Sequence, residues 1–387
     1  MAWCNYREGV GGHKRMTSAG APAILDRLTP HSLRLAATAA VLLLNGCGLF
    51  AASGSAVRNQ YDPIFTHHRV PLLFAHRGGN LEVAESTPRA FDHAIQCAQA
   101  DVLELDVQVT LDGEFVVWHG PSLDKVFIEG QPTDPRKRWR RWMWQYSWRE
   151  ELQGKAWVAD PRPKTACCSC DQNLAAVPHD PDRRLLTLDE FLDLYSCADV
   201  NIELKESIWF WHVPKLARIL SKQRWCATHR PPRKILVVSL WPVLLEAFRW
   251  WDAGAHPTGF DALTSVFTSL AADLGVACYV EGRALQTTYG ACLAGESIVD
   301  GIHEHHGAAH VFITSFPGAK ALDDQESEAS AREIRTILSR GVDGVMTARP
   351  FWVRQIIEDW RTDPLASDTK KQPSDRTPRC PHMTESN

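Results

Sequence analysis

The sequence lacks the excess of positive charge that proteins binding nucleic acid carry. Its 42 Lys and Arg are matched by 46 Asp and Glu, and the formal net charge is -4 over 387 residues. A phosphate backbone is bound by clustered, uncompensated cations, so we exclude nucleic acid as a partner. The composition, 44% hydrophobic and 23% charged, suits a globular protein with a large core, either one domain of α/β-barrel size or two smaller ones.

Cysteine also lacks a pattern that would define a fold. Its eleven copies do not show the short, regular spacing of a disulfide-stabilised mini-domain, and a chain of this length needs no such links. The cluster Cys167, Cys168 and Cys170 has no second Cys or His pair at a spacing suited to zinc. We interpret it as part of a disulfide, within the loop or to a distant Cys, in an exported protein.

The apolar run near the N-terminus is too short to span a bilayer. Residues 35–44 follow Arg34 and have the size of the hydrophobic part of an export signal. The run ends in Leu44-Asn45-Gly46-Cys47, which resembles the lipobox of bacterial lipoproteins, where the Cys becomes the lipidated first residue. We therefore predict an export segment over residues 1–47, a lipid on Cys47 and a place in the bacterial cell envelope. A soluble secreted or periplasmic protein, or an uncleaved anchor, is the alternative.

The rest of the chain divides by composition. Residues 48–69 form a predicted linker, residues 70–362 a barrel domain, and residues 363–387, which are polar and Pro-rich, a disordered tail. Either Met1 or Met16 could be the start.

Between residues 72 and 347, apolar runs typical of strands alternate with helical patterns. Thr187 and Glu190 have the spacing of a capping box, and Thr87-Pro88 marks another helix start. About eight such units predict a (β/α)8 TIM barrel with a third strand at 114–119. No strand can be placed with certainty in residues 256–300. Residues 124–183, too long for a loop, are predicted to be an insertion after strand three.

Polar residues fall where these strands end. They are His76, Arg77, Glu104, Asp106, His119, Glu203 and Lys205. Glu104 and Asp106 lie on one strand face, and so do Glu203 and Lys205, because side chains two apart in a strand point the same way. In a parallel barrel the carboxyl ends of the strands meet at one mouth, so we expect these groups to converge there.

The chemistry of these residue types points to a phosphate ester. Three inward carboxylates are costly to bury unless a hard cation lies between them, and oxygen ligands favour Mg²⁺ or Ca²⁺. Two histidines suit general acid and general base work, and Arg77 offers a planar fork for phosphate. Gly78 and Gly79 are expected to let the backbone approach a ligand.

Six motifs in order resemble the glycerophosphodiester phosphodiesterase family. They are AHRG with EST-P, ELDV with TLDG, VVWH, LTLDEFL, NIELK and GVDGVMTARP, spread over residues 72–350. Ser86, Gly120 and Ala348 stand where this family usually has Asn, Asp and Asp, which bears on substrate preference and local packing more than on chemistry.

This resemblance implies a TIM barrel and a set of roles. Glu104, Asp106 and Glu203 would hold the divalent cation, His76 and His119 would catalyse, and Arg77 and Lys205 would contact the phosphate. Glu85 would either bind substrate or cap the following helix. The implied reaction is hydrolysis of a small-molecule or lipid phosphodiester, preferably a glycerophosphodiester, to glycerol 3-phosphate and an alcohol.

Two other functions stay open at this point. A lysophospholipase D or a sphingomyelinase-D-like enzyme would act on membrane lipid, and the Trp- and Arg-rich residues 139–157 could face lipid. The alternative for these residues is a small core of their own. An inactive lipid- or envelope-binding lipoprotein is disfavoured by the complete set of polar groups. The cluster HEHH at 303–306 is expected on a solvated helix face and not at a metal.

Overall fold

Ten strands are described in the computed structural model of the protein, and most of them belong to one sheet. They are β1 (Leu72–Ala75), β2 (Val102–Val109), β3 (Phe115–Val117), β4 (Val126–Ile128), β5 (Ala156–Val158), β6 (Asp199–Leu204), β7 (Ile235–Ser239), β8 (Ala284–Thr288), β9 (Ala308–Phe312) and β10 (Gly344–Thr347). Seven of them run parallel in the order β7-β6-β2-β1-β10-β9-β8.

The sheet closes through a short bridge. Thr258 pairs in parallel with Val237 of β7, and Gly259 pairs in parallel with Ala284 of β8. The Gly259 N–H also donates to the Val237 carbonyl at 2.9 Å. These two residues are the eighth position of the ring, so the predicted (β/α)8 barrel is confirmed. Two residues are too few to show a periodicity, so this strand could not be recognised from the sequence.

The structure describes residue 65 and several longer ranges of the chain. These are 70–159, 179–222, 233–259, 284–288, 297–304, 307–314 and 321–362. The predicted lipidation site Cys47, the cysteines at 167–170 and the tail at 363–387 lie outside them. Within the described residues no helix is both long and apolar enough to cross a membrane.

Seven described helices alternate with the barrel strands and form the outer layer. They are α1 (Pro88–Gln96), α2 (Leu188–Leu194), α3 (Val213–Ser221), α4 (Pro242–Asp252), α5 (Ser297–Glu304), α6 (Glu328–Ser339) and α7 (Pro350–Thr362). Thr87 caps α1 by accepting from the Ala90 N–H. Thr187 and Glu190 form the predicted capping box of α2, and such a cap stabilises a helix by about 1 kcal/mol.

Apolar packing divides between the outside and the inside of the sheet. Outward residues such as Leu105, Ile202 and Val237 pack with Phe191 and Phe248 of the helix layer. The interior of the barrel is filled by a separate cluster: Phe65, Phe74, Val102, Leu236, Val238, Ala284, Ala308 and Met346. The core fills the barrel, so polar groups on the inward faces can reach water only at the mouth.

The predicted third barrel strand is wrong. β3 pairs antiparallel with the upper part of β2, with Val117 opposite Val107 and Phe115 opposite Val109. It is the returning arm of a hairpin and not a member of the ring. An apolar run of this length looks the same in both settings, because periodicity carries no information on strand direction.

Residues 120–158, which we call the Trp-rich segment, supply most of a separate small core, which Ala84, Val116, Trp118 and Leu185 complete. β4 and β5 pair antiparallel, and Met143, Tyr146 and Trp148 lie in a buried cluster with strand residues of this segment. The alternative of a small separate core is therefore the one the structure shows for these side chains. That the segment is an insertion relative to relatives stays a prediction.

Two further features lie away from the mouth. Cys97, which follows α1, and Cys197, which precedes β6, are disulfide-bonded. His303 of α5 contacts the Asp343 carboxylate at 2.7 Å and is half-buried, so the first residue of the HEHH cluster does not lie on a solvated face. The sequence did not predict this contact, because Asp343 is forty residues away along the chain and is brought next to His303 only by the fold.

Candidate active site

Strand β1 delivers the first two polar residues to the mouth. It ends at Ala75, and His76 and Arg77 follow in a tight turn in which Arg77 has the left-handed φ of 53°. The Arg77 N–H donates to the Glu104 carboxylate at 2.9 Å. This bond fixes the turn against β2, which is one reason why a non-glycine residue holds this backbone conformation.

Three carboxylates meet beside this turn. Glu104 and Asp106 point inward from β2, and Asp106 lies opposite Glu203 in the parallel register with β6. Donor oxygens of the three side chains all lie within 4.8 Å of one another. The sequence prediction that these residues come together is therefore met by the geometry.

Two cations contact the same carboxylates. Arg77 Nε lies 3.0 Å from Asp106 Oδ2, and Lys205 Nζ lies 2.9 Å from Asp106 Oδ1 and 2.6 Å from Glu203 Oε1. Asp106 is thus paired on both oxygens, whereas Glu104 accepts a hydrogen bond from the Arg77 backbone N–H and has no Lys or Arg side chain paired with it among the described residues. Three acids with two cations leave one negative charge unbalanced.

The pKa values of the three carboxyl groups reflect this excess of negative charge. Burial, followed by repulsion from Asp106 and Glu203, raises the pKa of Glu104 well above its usual value. Burial also raises the pKa of Glu203. Burial opposes ionisation of Asp106, but Lys205 and Arg77 outweigh it and hold its pKa well below the usual range. A hard divalent cation would relieve the repulsion, so the donor set fits Mg²⁺ or Ca²⁺.

His76 is almost fully buried next to the acids. Its Nδ1 lies 3.2 Å from Asn80 Oδ1, and its Nε2 lies 4.0 Å from Glu104 Oε2. A contact with an amide oxygen places the ring proton on Nδ1 and leaves the Nε2 lone pair facing the acids. Burial and the neighbouring Arg77 lower the pKa of His76 well below its usual value, so the ring is neutral at pH 7.

His119 reaches the mouth by way of the β2–β3 hairpin. The Trp118 N–H donates to the Asp106 carbonyl at 3.0 Å, and buried Gln108 donates its Nε2 to the His119 carbonyl at 2.9 Å. Burial lowers the pKa of the half-exposed His119 to about 4. Gln108 was not predicted, although its place two residues after Asp106 on the same strand face was a usable signal.

Glu85 does not cap helix α1, since Thr87 does. Its carboxylate instead contacts Arg77 Nη1 at 3.0 Å and Lys125 Nζ at 2.7 Å. Burial opposes its ionisation, yet these two cations lower the pKa of Glu85. Lys125 comes from the Trp-rich segment and joins it to the site. Nothing in the sequence pattern could have identified it, because forty residues separate the pair.

The two glycines after Arg77 have a packing role. A Cβ on Gly78 would lie 2.7 Å from the backbone of Ala90 in α1, and one on Gly79 would lie 2.9 Å from Pro350 Cγ. Both residues also have positive φ. They therefore let the turn pack against α1 and the start of α7, and the expectation that they bring backbone close to a ligand stays a prediction.

A cleft of about 170 Å³ opens at the mouth. Its lining combines catalytic candidates with apolar residues from two neighbouring loops: His119, Pro121, Glu203, Leu204, Lys205, Glu206, Leu240 and Trp241. Charged groups at the base and an indole at the edge suit a ligand with a phosphate at one end and a less polar part at the other.

Residues 76–216 match the model of the glycerophosphoryl diester phosphodiesterase family. The predicted resemblance to this family is confirmed. Every residue predicted to be catalytic, phosphate-binding or metal-binding lies inside the matched range.

Curated relatives match less than half of the chain. A glycerophosphodiester phosphodiesterase of Caldanaerobacter subterraneus is 46% identical over 55 residues, which are 14% of this chain and 22% of the relative. Human lysophospholipase D GDPD1 is 35% identical over 176 residues, 44% of this chain and 49% of the relative. The chain spans half or less of the length of these two relatives.

Solved structures share the fold. The glycerophosphoryl diester phosphodiesterase domain of a Mycobacterium tuberculosis protein has a TM-score of 0.54 at 15% identity, covering 76% of this chain and 99% of that domain. An Oleispira antarctica phosphodiesterase in complex with the product sn-glycerol-3-phosphate has a TM-score of 0.50 at 18% identity, covering 75% and 97%. At these identities the likeness shows the barrel alone.

Proposed function

We propose that this protein is a metal-dependent phosphodiesterase that hydrolyses glycerophosphodiesters to glycerol 3-phosphate and an alcohol. The observation that carries the proposal is the convergence of two histidines, two cations and three carboxylates at one barrel mouth, within a range that matches the family. The product complex of the Oleispira antarctica enzyme supports the choice of substrate.

The cation would be held by Glu104, Asp106 and Glu203, whose oxygens are close enough to share one ion. When bound, a hard divalent ion supplies charge neutralisation at the phosphate oxygens. Arg77 and Lys205 lie beside the same acids, and we assign them to the remaining phosphate oxygens. Their ion pairs with Asp106 hold both side chains in place before substrate binds.

The histidines would move the protons. Both rings are neutral at pH 7 because burial lowers their pKa values, so either can accept the proton of the nucleophile. That proton transfer accompanies formation of the new P–O bond. The other histidine gives a proton to the leaving alkoxide as the ester P–O bond breaks, and the phosphate charge favours its protonated form.

A product assay tests the proposal. Glycerophosphocholine is incubated with the purified full chain and divalent cation, and glycerol 3-phosphate and phosphocholine are measured separately. We expect glycerol 3-phosphate with free choline. Phosphocholine as the product would place the cut on the other ester bond, and no product from any glycerophosphodiester or lysophospholipid would leave the inactive lipoprotein as the better account.

A lysophospholipase D activity is the second candidate function. It is favoured by the 35% identity to the human enzyme of that name and by the apolar edge of the cleft at Leu240 and Trp241. The same assay with lysophosphatidylcholine measures it: release of choline faster than from glycerophosphocholine would make the lipid the preferred substrate.

We further propose that the protein is exported and anchored to the cell envelope through a lipid on Cys47. The Leu-Asn-Gly-Cys sequence motivates the anchor, and the disulfide-bonded state of Cys97 and Cys197 supports an oxidising compartment. Mass spectrometry of the native N-terminus tests the proposal, with a lipidated Cys47 as the expected first residue. A mature chain that begins elsewhere would contradict it.

A further inference from the structure

Six large apolar residues next to the cleft are exposed to solvent. We call them the mouth rim, and they are Trp209, Phe210, Trp211, Leu240, Trp241 and Val243. Their exposed fractions run from 45% for Leu240 to 76% for Val243. Folded monomers seldom expose a contiguous apolar patch without a partner to cover it.

The rim lies on two adjacent connections at the barrel mouth, the one after β6 and the one after β7 together with the first turn of α4. Trp209, Phe210 and Trp211 follow β6, and the rings of Trp209 and Trp211 lie parallel with centroids 5.3 Å apart. Leu240 and Trp241 follow β7, the neighbour of β6 in the sheet. Both loops leave the carboxyl ends of their strands, so the rim lies on the face of the barrel that holds the site.

The rim is continuous with the cleft. Leu240 and Trp241 line it together with His119, Glu203 and Lys205. Whatever covers the rim therefore lies against the groups proposed to act on the phosphodiester. A lipid whose headgroup enters the cleft would leave its acyl part at these aromatic side chains.

The charges around the rim favour a neutral or zwitterionic surface over an anionic one. The two lysines nearest the rim along the chain are both paired. Lys205 contacts Asp106 and Glu203, and Lys215 contacts Glu114 at 3.0 Å and the Gly113 carbonyl at 2.8 Å. Glu206 is exposed beside the cleft. Anionic lipid is recruited by clusters of uncompensated Lys and Arg, and the described residues of these two loops contain none.

We propose that the mouth rim docks the barrel on a zwitterionic lipid–water interface, with phosphatidylcholine-type headgroups at the cleft. Indole rings favour the boundary between water and acyl chains, and rim side chains that insert there bury area that is otherwise exposed. The proposed binding to a lipid surface depends only on the exposed residues of the mouth rim. The idea that the docked lipid is also a substrate rests on the proposed phosphodiesterase function.

Binding to vesicles tests the docking directly. Full-length protein is sedimented with phosphatidylcholine vesicles, and Cys47→Ala is present in every sample so that no lipid anchor contributes. Removing two interfacial indoles with Trp209→Ala/Trp211→Ala should weaken vesicle binding at least about tenfold. Val243→Glu, a single exposed change on α4, should weaken it in the same direction without touching the cleft.

The chain offers a matched control at the other end of α4. Trp250→Ala/Trp251→Ala removes two exposed indoles, but they lie on the last turn of α4, and this helix runs back from the mouth to the base of the barrel. Vesicle binding of this variant should equal that of the parent. Thermal unfolding of all variants shows whether each is folded.

The outcomes separate the two proposals. Equal binding of folded rim and control variants, or no vesicle binding by the parent, overturns docking. A parent that dimerises through the rim in sedimentation velocity without binding vesicles assigns the rim to a second copy instead. If the rim variant keeps its glycerophosphocholine turnover and loses vesicle binding, docking holds. Vesicle binding without turnover of any substrate keeps docking and removes the phosphodiesterase proposal.

Discussion

The acid cluster, formed by Glu104, Asp106 and Glu203, lies beside the Trp-rich segment at the barrel mouth. The two regions differ in whether their charges are balanced by neighbouring groups. In the Trp-rich segment three arginines contact an acid or carbonyl of the segment itself: Arg140 pairs with Glu151, Arg141 with Asp124, and Arg138 donates to the Leu123 carbonyl at 3.1 Å. Lys125 and Arg149 pair with acids just outside it, Glu85 and Glu114. In the acid cluster Glu104, Asp106 and Glu203 crowd together with one negative charge in excess.

The difference separates groups that stabilise a fold from groups arranged for a ligand. Paired charges in a small apolar core leave nothing for a partner, whereas buried like charges are costly unless something external neutralises them. The prediction that residues 139–157 face anionic lipid is therefore not supported for Trp148 and Trp157, which are buried, or for Arg140 and Arg141. Changes in the cluster should affect activity, and changes in the segment should affect stability.

The largest expected effect is on the histidines. His76→Ala and His119→Ala should each lower turnover of glycerophosphocholine by at least about 10²-fold, the low end for a lost general acid or base. The unfolding temperature should change little, since neither ring belongs to an apolar cluster. Turnover is measured at saturating substrate, with Gln108→Ala as a variant of a residue that only positions His119. Near-wild-type turnover in either His variant would refute its role.

A substitution in the core of the Trp-rich segment should lower the stability of the protein. Trp148→Ala removes a buried indole from its core and should cost about 3–5 kcal/mol in the free energy of unfolding. Trp144→Ala, at a half-exposed position, is the matched control with a much smaller cost. Denaturant unfolding measures both. Similar small losses in the two variants would mean that the segment has no core of its own.

A buried acid on the far side of the mouth gives a pH-dependent prediction. Asp323 accepts from the Thr347 hydroxyl and the Ala348 N–H, both at 2.7 Å, and burial raises its pKa to about 6. The folded pKa exceeds the ordinary 3.8, so stability from this group is full below pH 3.8 and lost as pH rises through 6. The loss is at most about 3 kcal/mol.

The measurement is the free energy of unfolding at pH 5 and pH 7.5 in wild type and Asp323→Asn. Wild type should lose more stability than the variant between these values, since the amide does not ionise. Parallel pH profiles would contradict a raised pKa for Asp323.

Glu104→Gln should have opposite effects on the stability of the protein and on its affinity for the cation. The change removes one repelling charge and keeps the shape, so stability should stay equal or rise slightly, as at other functional sites where activity conflicts with stability. Cation affinity, measured by calorimetry, should fall by about tenfold or more. Unchanged affinity would exclude Glu104 as a ligand.

The smallest effect is expected at the stacked pair Trp142 and Trp144. Their ring centroids are 5.5 Å apart and both are only about two-fifths exposed. Trp142→Ala/Trp144→Ala should weaken vesicle binding less than Trp209→Ala/Trp211→Ala does. A larger loss from the first pair would return the lipid-facing role to the Trp-rich segment.

Much of the barrel could be predicted because local signals were strong. The alternation of strands and helices, the capping box that starts α2 at Thr187 and the paired polar residues in β2 and β6 are all short-range patterns. Convergence of His76, Glu104 and Glu203 followed from the rule that parallel strands end at one mouth.

The rest depends on contacts that sequence spacing cannot encode. The direction of β3, the Lys125–Glu85 pair and the His303–Asp343 contact join residues brought together only by the fold. Tryptophan density was misleading for a similar reason. Trp148 and Trp211 both come from Trp-rich stretches, yet one is buried and the other exposed, because exposure is set by what packs above each side chain.

The central claim is that the acid cluster holds a cation needed for phosphodiester hydrolysis. The most direct test is glycerophosphocholine turnover by the full chain after chelation, and again after Mg²⁺ or Ca²⁺ is restored. We expect activity to fall to background with chelator and to return with at least one of the two ions, but not in Glu104→Gln at the same ion concentration. Full activity in the presence of chelator would contradict the claim.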